Sequence, residues 1–262
     1  MQEITSLQNP IIKETTALHQ KKCRTESGMF LIEGLKGVNE ALNSGLEIKY
    51  IFVNRSSKIN FLNFPEEKLY FADEKILKKI STTETPPEIV AVANQKKFVL
   101  KDLFKEKNPL ILVLENIKDA GNLGTIIRTA KASNISGIIL TGECIDIYNP
   151  KVVRSSATNL WKIPVVFFKE TGIIRKELEN FGHFQFLATK IKNDTKQSLY
   201  HEIDYKQATI VFFGSEAEGI SDILSSQADE FVKIPMNEAV ESLNLSISAG
   251  IIMYEAFKQR KA

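Results

Sequence analysis

The chain is short of the residues that build the most readily recognised sites. It has two cysteines, Cys23 and Cys144. They offer neither metal spacing nor a disulfide framework, which fits a reducing cytoplasm. Three scattered histidines, His19, His183 and His201, make no ligand cluster, so no metal is expected. No apolar run approaches the ~20 residues a membrane helix needs. The opening MQEITSLQNPIIKE lacks the apolar core of a signal peptide. A soluble, cytoplasmic protein is the expectation. There is no G-x-G-x-x-G after a first strand, no G-x-x-x-x-G-K-[ST] and no G-x-S-x-G, which weakens the usual dinucleotide, nucleoside-triphosphate and hydrolase readings. Charge of one sign is scarce as well, with a formal net charge of +2. Lys and Arg number 17 against 14 Asp and Glu before Pro109, and 17 against 18 after it. The front half is therefore the better polyanion surface, by a slim margin.

What is present is the pattern of a soluble α/β protein. Hydrophobic residues make up 43% and charged residues 25% of the chain, and 262 residues are enough for one large or two ordinary domains. Helical periodicity covers 9–22, with Pro10 near its start, followed by KKCRTESG and a strand at 29–32. A helix over 38–43, strands at 48–53 and 68–71, a helix from Asp73 to Ile80 and a strand at 89–93 complete a small α/β domain over 1–95. A Lys-rich stretch ending in Pro109 reads as a linker over 96–109. From 110 to 262, strands are expected at 110–114, 138–141, 164–168, 184–189, 209–213 and 231–235. Helices are expected at 150–159, 172–181 and 243–258. Such alternation implies a mostly parallel sheet covered on both faces.

Three patches in this second half follow strands, at the sheet edge where open α/β sheets bind ligands. In the first, LILVLENIKDAGNLGTIIRTAKASN, a strand hands over through a polar turn to a helix. Leu123, Ile126, Ile127 and Ala130 share one face of that helix, and Asn122 is a candidate cap. Asp119, Asn122, Gly124 and Arg128 sit at fixed offsets along it. The second is FFGSEAEGIS, with Gly214, Glu216 and Glu218 in a turn. The third, IPMNEAVESLNLSISAG, carries Ile234, Met236, Ser242, Leu243 and Asn244 ahead of the final helix. Taken singly, each has an ordinary reading: a βα unit with a solvated Arg, acidic residues at a helix start, a polar helix cap.

In this order and at these separations, however, the three patches resemble the signature motifs of the SpoU (TrmH-like) RNA ribose 2′-O-methyltransferases of the SPOUT class. In the front half, Arg24, Gly28, Phe30, Glu33 and Gly34 resemble the R…G-x-F-x-x-E-G pattern of that family's substrate-binding domain. The resemblance implies a C-terminal parallel-sheet domain with a deep trefoil knot, preceded by a small α/β RNA-binding domain. It implies S-adenosylmethionine as cofactor, with Gly214, Ile234, Met236 and Leu243 in the cofactor loops and Thr189 as a further candidate. It implies a homodimer whose interface includes the final helix, with the site completed nearby. Arg128 is the residue implied to act on the ribose 2′-hydroxyl, often described as a base. A guanidinium keeps its proton at ordinary pH, so the weaker role is preferred: gripping phosphate and stabilising charge on the 2′-oxygen. Asn122, Glu216, Ser242 and Asn244 are implied to orient Arg128, ribose and cofactor.

Lys21, Lys22, Arg24, Lys151 and Arg154 are candidate RNA contacts. Two departures from the family pattern stand out: Ala120 where Pro is common, and Thr158 where relatives carry Gly. Ribosomal RNA is the expected substrate. Transfer RNA is an alternative, as is a non-catalytic RNA-binding or ribosome-assembly factor of the same fold. A small-molecule methyltransferase is disfavoured by the additional front domain and its Lys21, Lys22, Arg24 cluster.

Overall fold

The computed structural model describes residues 2–59, 65–189 and 197–261. The chain forms two compact units. One comprises residues up to Lys97 together with Asp146–Trp161; the other comprises Phe98–Ile145 together with the chain from Lys162 on. This differs from a boundary in a linker over 96–109. Within that stretch Leu100–Phe104 is a 3-10 turn, and Leu103 is wholly buried in the second unit's core. Asp146–Trp161, expected in the second domain, belongs to the first.

The first unit is built on a mixed five-stranded sheet. Its elements are β1 (Gln2–Ile4), α1 (Pro10–Ala17), α2 (Lys21–Ser27), β2 (Met29–Glu33), α3 (Leu35–Asn43), β3 (Ile48–Asn54), β4 (Leu69–Ala72), α4 (Glu74–Ile80) and β5 (Ile89–Asn94). The strand order is β1-β4-β3-β5-β2, with β5 antiparallel to both neighbours and the other pairs parallel. Alternation along the strands divides the residues between two faces. Met29, Leu31, Phe52, Val90 and Val92 join Ile12 and Leu18 near α1 and Ile76, Leu77 and Ile80 of α4 in one cluster. Phe30, on the opposite face of β2, packs on Tyr148 and Trp161 from the Asp146–Trp161 segment. The helix expected over 9–22 is two helices, because backbone bonds from Leu18, His19 and Gln20 to Thr15, Thr16 and Ala17 close a 3-10 turn after α1. The KKCRTES stretch is itself helical. It ends at Gly28, whose φ of +66° is the left-handed C-cap conformation that favours glycine.

The second unit carries a seven-stranded sheet whose pairs are all parallel, as alternation predicts. Its strands are β6 (Leu110–Glu115), β7 (Gly137–Thr141), β8 (Val165–Phe168), β9 (Gln185–Thr189), β10 (Gln197–Leu199), β11 (Thr209–Phe213) and β12 (Glu230–Lys233). The order is β10-β12-β9-β11-β6-β7-β8. The central strands β6 and β11 are buried along their whole length, at about 1.5–3 kcal/mol for each large apolar side chain. The helices are α5 (Ala120–Ala132), then α6 (Pro150–Ser155, in the first unit), α7 (Ile174–Glu179), α8 (Asp222–Ser225) and α9 (Leu245–Lys261). The expected face of α5 is buried, and so is the Leu245, Ala249, Ile252, Met253, Ala256 stripe of α9. A Cβ on Gly250 of α9 would lie 3.9 Å from the Thr129 methyl of α5, so these two helices pack closely. Among the described residues no helix is long and apolar enough to cross a membrane.

Candidate active site

In the second sheet the chain runs from β6 out to β7 and β8, then returns beyond β11 to β9. Reversals of this kind leave a crevice at the carboxyl ends of the strands. A hollow of about 580 Å³ lies there, within the usual range for small-ligand sites. It is lined at the end of β9 by Thr189, after β11 by residues 213–222, around the end of β12 by Ile234 and Met236, and ahead of α9 by Ser242 and Leu243. Every cofactor candidate from the sequence (Thr189, Gly214, Ile234, Met236 and Leu243) therefore faces one cavity. The β11 turn is tight: a Cβ on Gly214 would stand 2.0 Å from the Gly219 carbonyl carbon, so only glycine fits. A pair of backbone bonds between Ser215 and Gly219 closes the loop. Glu216, Glu218 and Asp222 give the rim a negative character, with Lys233 as the cation among the lining residues.

The polar candidates from the three patches meet beside this hollow. Asn122 donates from Nδ2 to Glu216 Oε1, and Asn244 donates from Nδ2 to Asn122 Oδ1 at 3.0 Å. Asn244 Oδ1 in turn accepts from the Ser246 N–H at 2.9 Å and the Ser246 hydroxyl at 2.6 Å, which caps the start of α9. Asn122 is not the cap of α5. Asp119 is, accepting from the Asn122 N–H at 2.7 Å, and this leaves the Asn122 amide to bridge Glu216 and Asn244. Arg128 stands apart. It lies six residues further along α5, about 9 Å in rise and about 240° around the helix. It does not line the hollow. Its side chain is exposed and has no partner among the described residues.

One residue behind the hollow escaped the sequence reading. Glu115, the last residue of β6, is 5% exposed. It accepts from the Ser221 N–H at 2.8 Å and the Ser221 hydroxyl at 2.7 Å, fixing the far end of the β11 turn. A buried acid closing an apolar strand was its only signal.

Residues 109–254 match the model of the SpoU rRNA Methylase family, more than half of the chain. The chain belongs to the SpoU rRNA methylase family. Residues 9–91 match an MRM3-like substrate binding domain. An uncharacterized tRNA/rRNA methyltransferase of Synechocystis sp. is 35% identical, over 99% of this chain and 94% of that protein. The 23S rRNA (guanosine(2553)-2′-O)-methyltransferase RlmP of Bacillus subtilis is 31% identical, over 97% of this chain and 98% of that protein. Among solved structures, an AdoMet-bound rRNA methyltransferase from Sinorhizobium meliloti superposes with a TM-score of 0.87. It is 32% identical, covering 98% of this chain and 97% of that one.

As a SpoU-family member the chain departs from the motif pattern at two places. Ala120 occupies the first position of α5, where the backbone N–H has no helical partner in any case, so Pro and Ala both suit. The Asp119 cap is intact without the proline. Thr158 has φ +71° and Ala157 φ +47°. A glycine at position 158 would relieve the left-handed conformation that this chain imposes on a β-branched residue.

The front motif corrects one of the expected RNA contacts, Arg24, and pairs another, the exposed Arg154, with a carboxylate. Arg24 is 2% exposed. Its guanidinium donates to Asp146 at 2.7 Å from Nε and to the Leu18 and His19 carbonyls at 2.8 and 2.9 Å. Nη2 lies 2.6 Å from the same Asp146 carboxylate. Arg154 on α6 is tied to Glu33 at 2.6 Å and to the Thr82 hydroxyl. Burial pushes the Glu33 carboxyl up, but hydrogen bonds from the Thr82 N–H, the Ser81 and Thr82 hydroxyls and Arg154 outweigh it and hold it below the ordinary carboxylate range. Tyr148, buried beside Phe30, donates to the Lys96 carbonyl at 2.6 Å. Arg24, Phe30 and Glu33 thus form a clasp on Asp146–Trp161 within the first unit. Spacing alone gave no sign of Asp146 or Tyr148 as their partners. Lys21 and Lys22 are exposed on α2, Lys22 lying 3.9 Å from Glu26, and Lys151 is exposed on α6.

Proposed function

We propose that the chain transfers a methyl group from S-adenosylmethionine to a ribose 2′-hydroxyl of ribosomal RNA, working in the cytoplasm as a homodimer. The observation that carries this reading is the Glu216–Asn122–Asn244 chain of hydrogen bonds at the lip of a hollow built by three sequence-distant loops. The hollow suits the cofactor. Backbone edges and Ile234, Met236 and Leu243 offer an apolar and hydrogen-bonding bed for an adenosine, and the acidic rim suits a ligand with two positive charges. When bound, the cofactor supplies an electrophilic methyl on a cationic sulfur.

The chain's own groups do the rest. Asn122 and Glu216 fix one another, and Asn244 joins α9 to them, so the lip is pre-organised. Ser242 and Asn244 orient the ribose. Arg128 holds the phosphate beside the target sugar and stabilises negative charge developing on the 2′-oxygen. The reading includes a deep trefoil knot near the C-terminus, formed by the turns that line the hollow. Ribosomal RNA is favoured by the Bacillus subtilis relative's action on 23S rRNA. Lys21, Lys22 and Lys151 contact RNA in this reading.

Arg128 lies outside the hollow of its own chain, so the dimer is part of the chemistry: Arg128 of one subunit serves the hollow of the other. Ile247 and Tyr254, about half exposed and seven residues apart on α9, supply apolar surface for that interface. The test is methyl transfer from labelled cofactor to unmethylated ribosomal RNA and to transfer RNA, followed by mapping of the methylated ribose. Transfer to transfer RNA alone would replace the substrate, and cofactor binding with no transfer would make the chain a non-catalytic RNA-binding factor. Arg128→Ala is expected to lower turnover by about 100–1000-fold, with cofactor affinity and thermal midpoint unchanged. Mixing Arg128→Ala with Asn244→Ala subunits is expected to restore activity, since one hollow of the mixed dimer is intact. A mixture as inactive as its parents would rule out a shared site.

A further inference from the structure

All three arginines of the first unit are engaged with carboxylates: Arg24 with Asp146, Arg55 with Glu3 and Arg154 with Glu33. If this unit carries RNA, as the proposed function requires, its cations not already paired with a carboxylate among the described residues are lysines. Two of them line one concavity. Between α1 and α4 lies a second hollow, of about 400 Å³, into which Lys13 of α1 and Lys79 of α4 both face, with Thr16, His19 and Gln20 completing its polar wall. No carboxylate lines it.

Neither ammonium has a partner among the described residues, nor does the Gln20 side-chain amide. The other wall groups are already satisfied: Thr16 donates to the Ile12 carbonyl at 2.8 Å, and His19 Nε2 lies 2.9 Å from the Ile80 carbonyl. The free donors are therefore two cations and an amide around one concavity, and the exposed Lys21 follows Gln20 directly. Lys13, Gln20 and Lys79 are all exposed, so solvent and a ligand can reach them. Two like charges brought to the edge of one hollow from different helices repel each other. A bound polyanion relieves that repulsion.

We propose that the hollow between α1 and α4 is a phosphodiester-binding site. Lys13 and Lys79 contact backbone phosphate oxygens of the RNA, and Gln20 donates to the same strand. The contacts are to charge and backbone only, so the site positions RNA without reading its sequence.

The test is binding of poly(U), a sequence-independent single strand, to the full chain from 50 to 200 mM salt. Wild type is compared with Lys13→Gln/Lys79→Gln and with a control, Lys36→Gln/Lys49→Gln, which removes the same charge from exposed lysines elsewhere in the unit. Loss of two phosphate contacts is expected to reduce the slope of log affinity against log salt by about 1.4, with the control at the wild-type slope. On unmethylated ribosomal RNA the same variant is expected to raise KM for RNA about tenfold or more, at unchanged kcat and cofactor affinity. A wild-type slope and KM in the Lys13/Lys79 variant, or an equal loss in the control, would overturn the site. Poly(U) binding is read without catalysis. A wild-type chain that binds poly(U) through these lysines but methylates nothing would sink the proposed reaction and leave the site standing.

Discussion

The two units use their motif residues in opposite ways. In the second unit the polar motif residues Asn122, Glu216 and Asn244 remain at the surface, bonded to one another around a hollow. In the first, the side chains of Arg24 and Glu33 are covered and bonded, Arg24 to Asp146 and two carbonyls, Glu33 to Arg154, Ser81 and Thr82. Both sets read equally well as binding residues in sequence. The difference teaches that a charged residue in a motif marks a site only where its hydrogen-bonding capacity is left over after folding. The Leu18 and His19 carbonyls and the Asp146 carboxylate engage all three nitrogens of the Arg24 guanidinium, whereas the Asp119 cap spares Asn122.

That contrast can be broken most sharply at Arg24. Arg24→Ala leaves Asp146 without its cation and two carbonyls without donors. Breaking a buried pair costs about 3–5 kcal/mol, so chemical denaturation is expected to show the first unit destabilised by that amount; a change below 1 kcal/mol would mean the clasp is ornamental. Next comes Asn244→Ala, expected to reduce turnover by about 10–100-fold, the range for losing an orienting hydrogen bond, with little change in the denaturation midpoint. If the loss is instead one of stability, Asn244 serves α9 and not the lip.

Glu33 supplies a pH signature for the first unit. Its carboxyl is held below the ordinary range in the folded chain, so its stabilising share is full at neutral pH and is lost as pH falls through the folded value. Thermal midpoints measured from pH 7 to 3 should drop more steeply in wild type than in Glu33→Gln, which cannot ionise. Parallel curves would count against the depressed carboxyl. The smallest expected effect is at the loop after α6. Thr158→Gly relieves the left-handed conformation at φ +71° and should stabilise by about 1 kcal/mol, unless the added freedom of the unfolded chain cancels it.

Much of the fold was legible because hydrophobic periodicity reports burial directly. The apolar runs at 110–114 and 209–213 are the central strands β6 and β11. Asp73 caps α4 as its spacing implied, accepting from the Ile76 N–H at 2.8 Å. What went unread were contacts with no local signal. The short strands β1 and β10 owe their pairing to neighbours far along the chain. Leu103 looked like linker because its burial depends on Ile111 and Ile139 across a core that a local window does not see. Glu115 and Asp146 each answer a partner more than a hundred residues distant.

Side-chain pattern alone located the long buried strands and the helices α4, α5 and α9, the parallel second sheet, and the three loops that follow its strands. Those follow from side-chain pattern and turn chemistry, which act over a few residues. Packing decided that Arg24 is buried against Asp146, that Arg154 pairs with Glu33, that Asp146–Trp161 belongs to the first unit, and that Arg128 does not line the hollow of its own chain. Each of these depends on which groups find partners once distant segments pack, and a linear pattern carries no record of that competition.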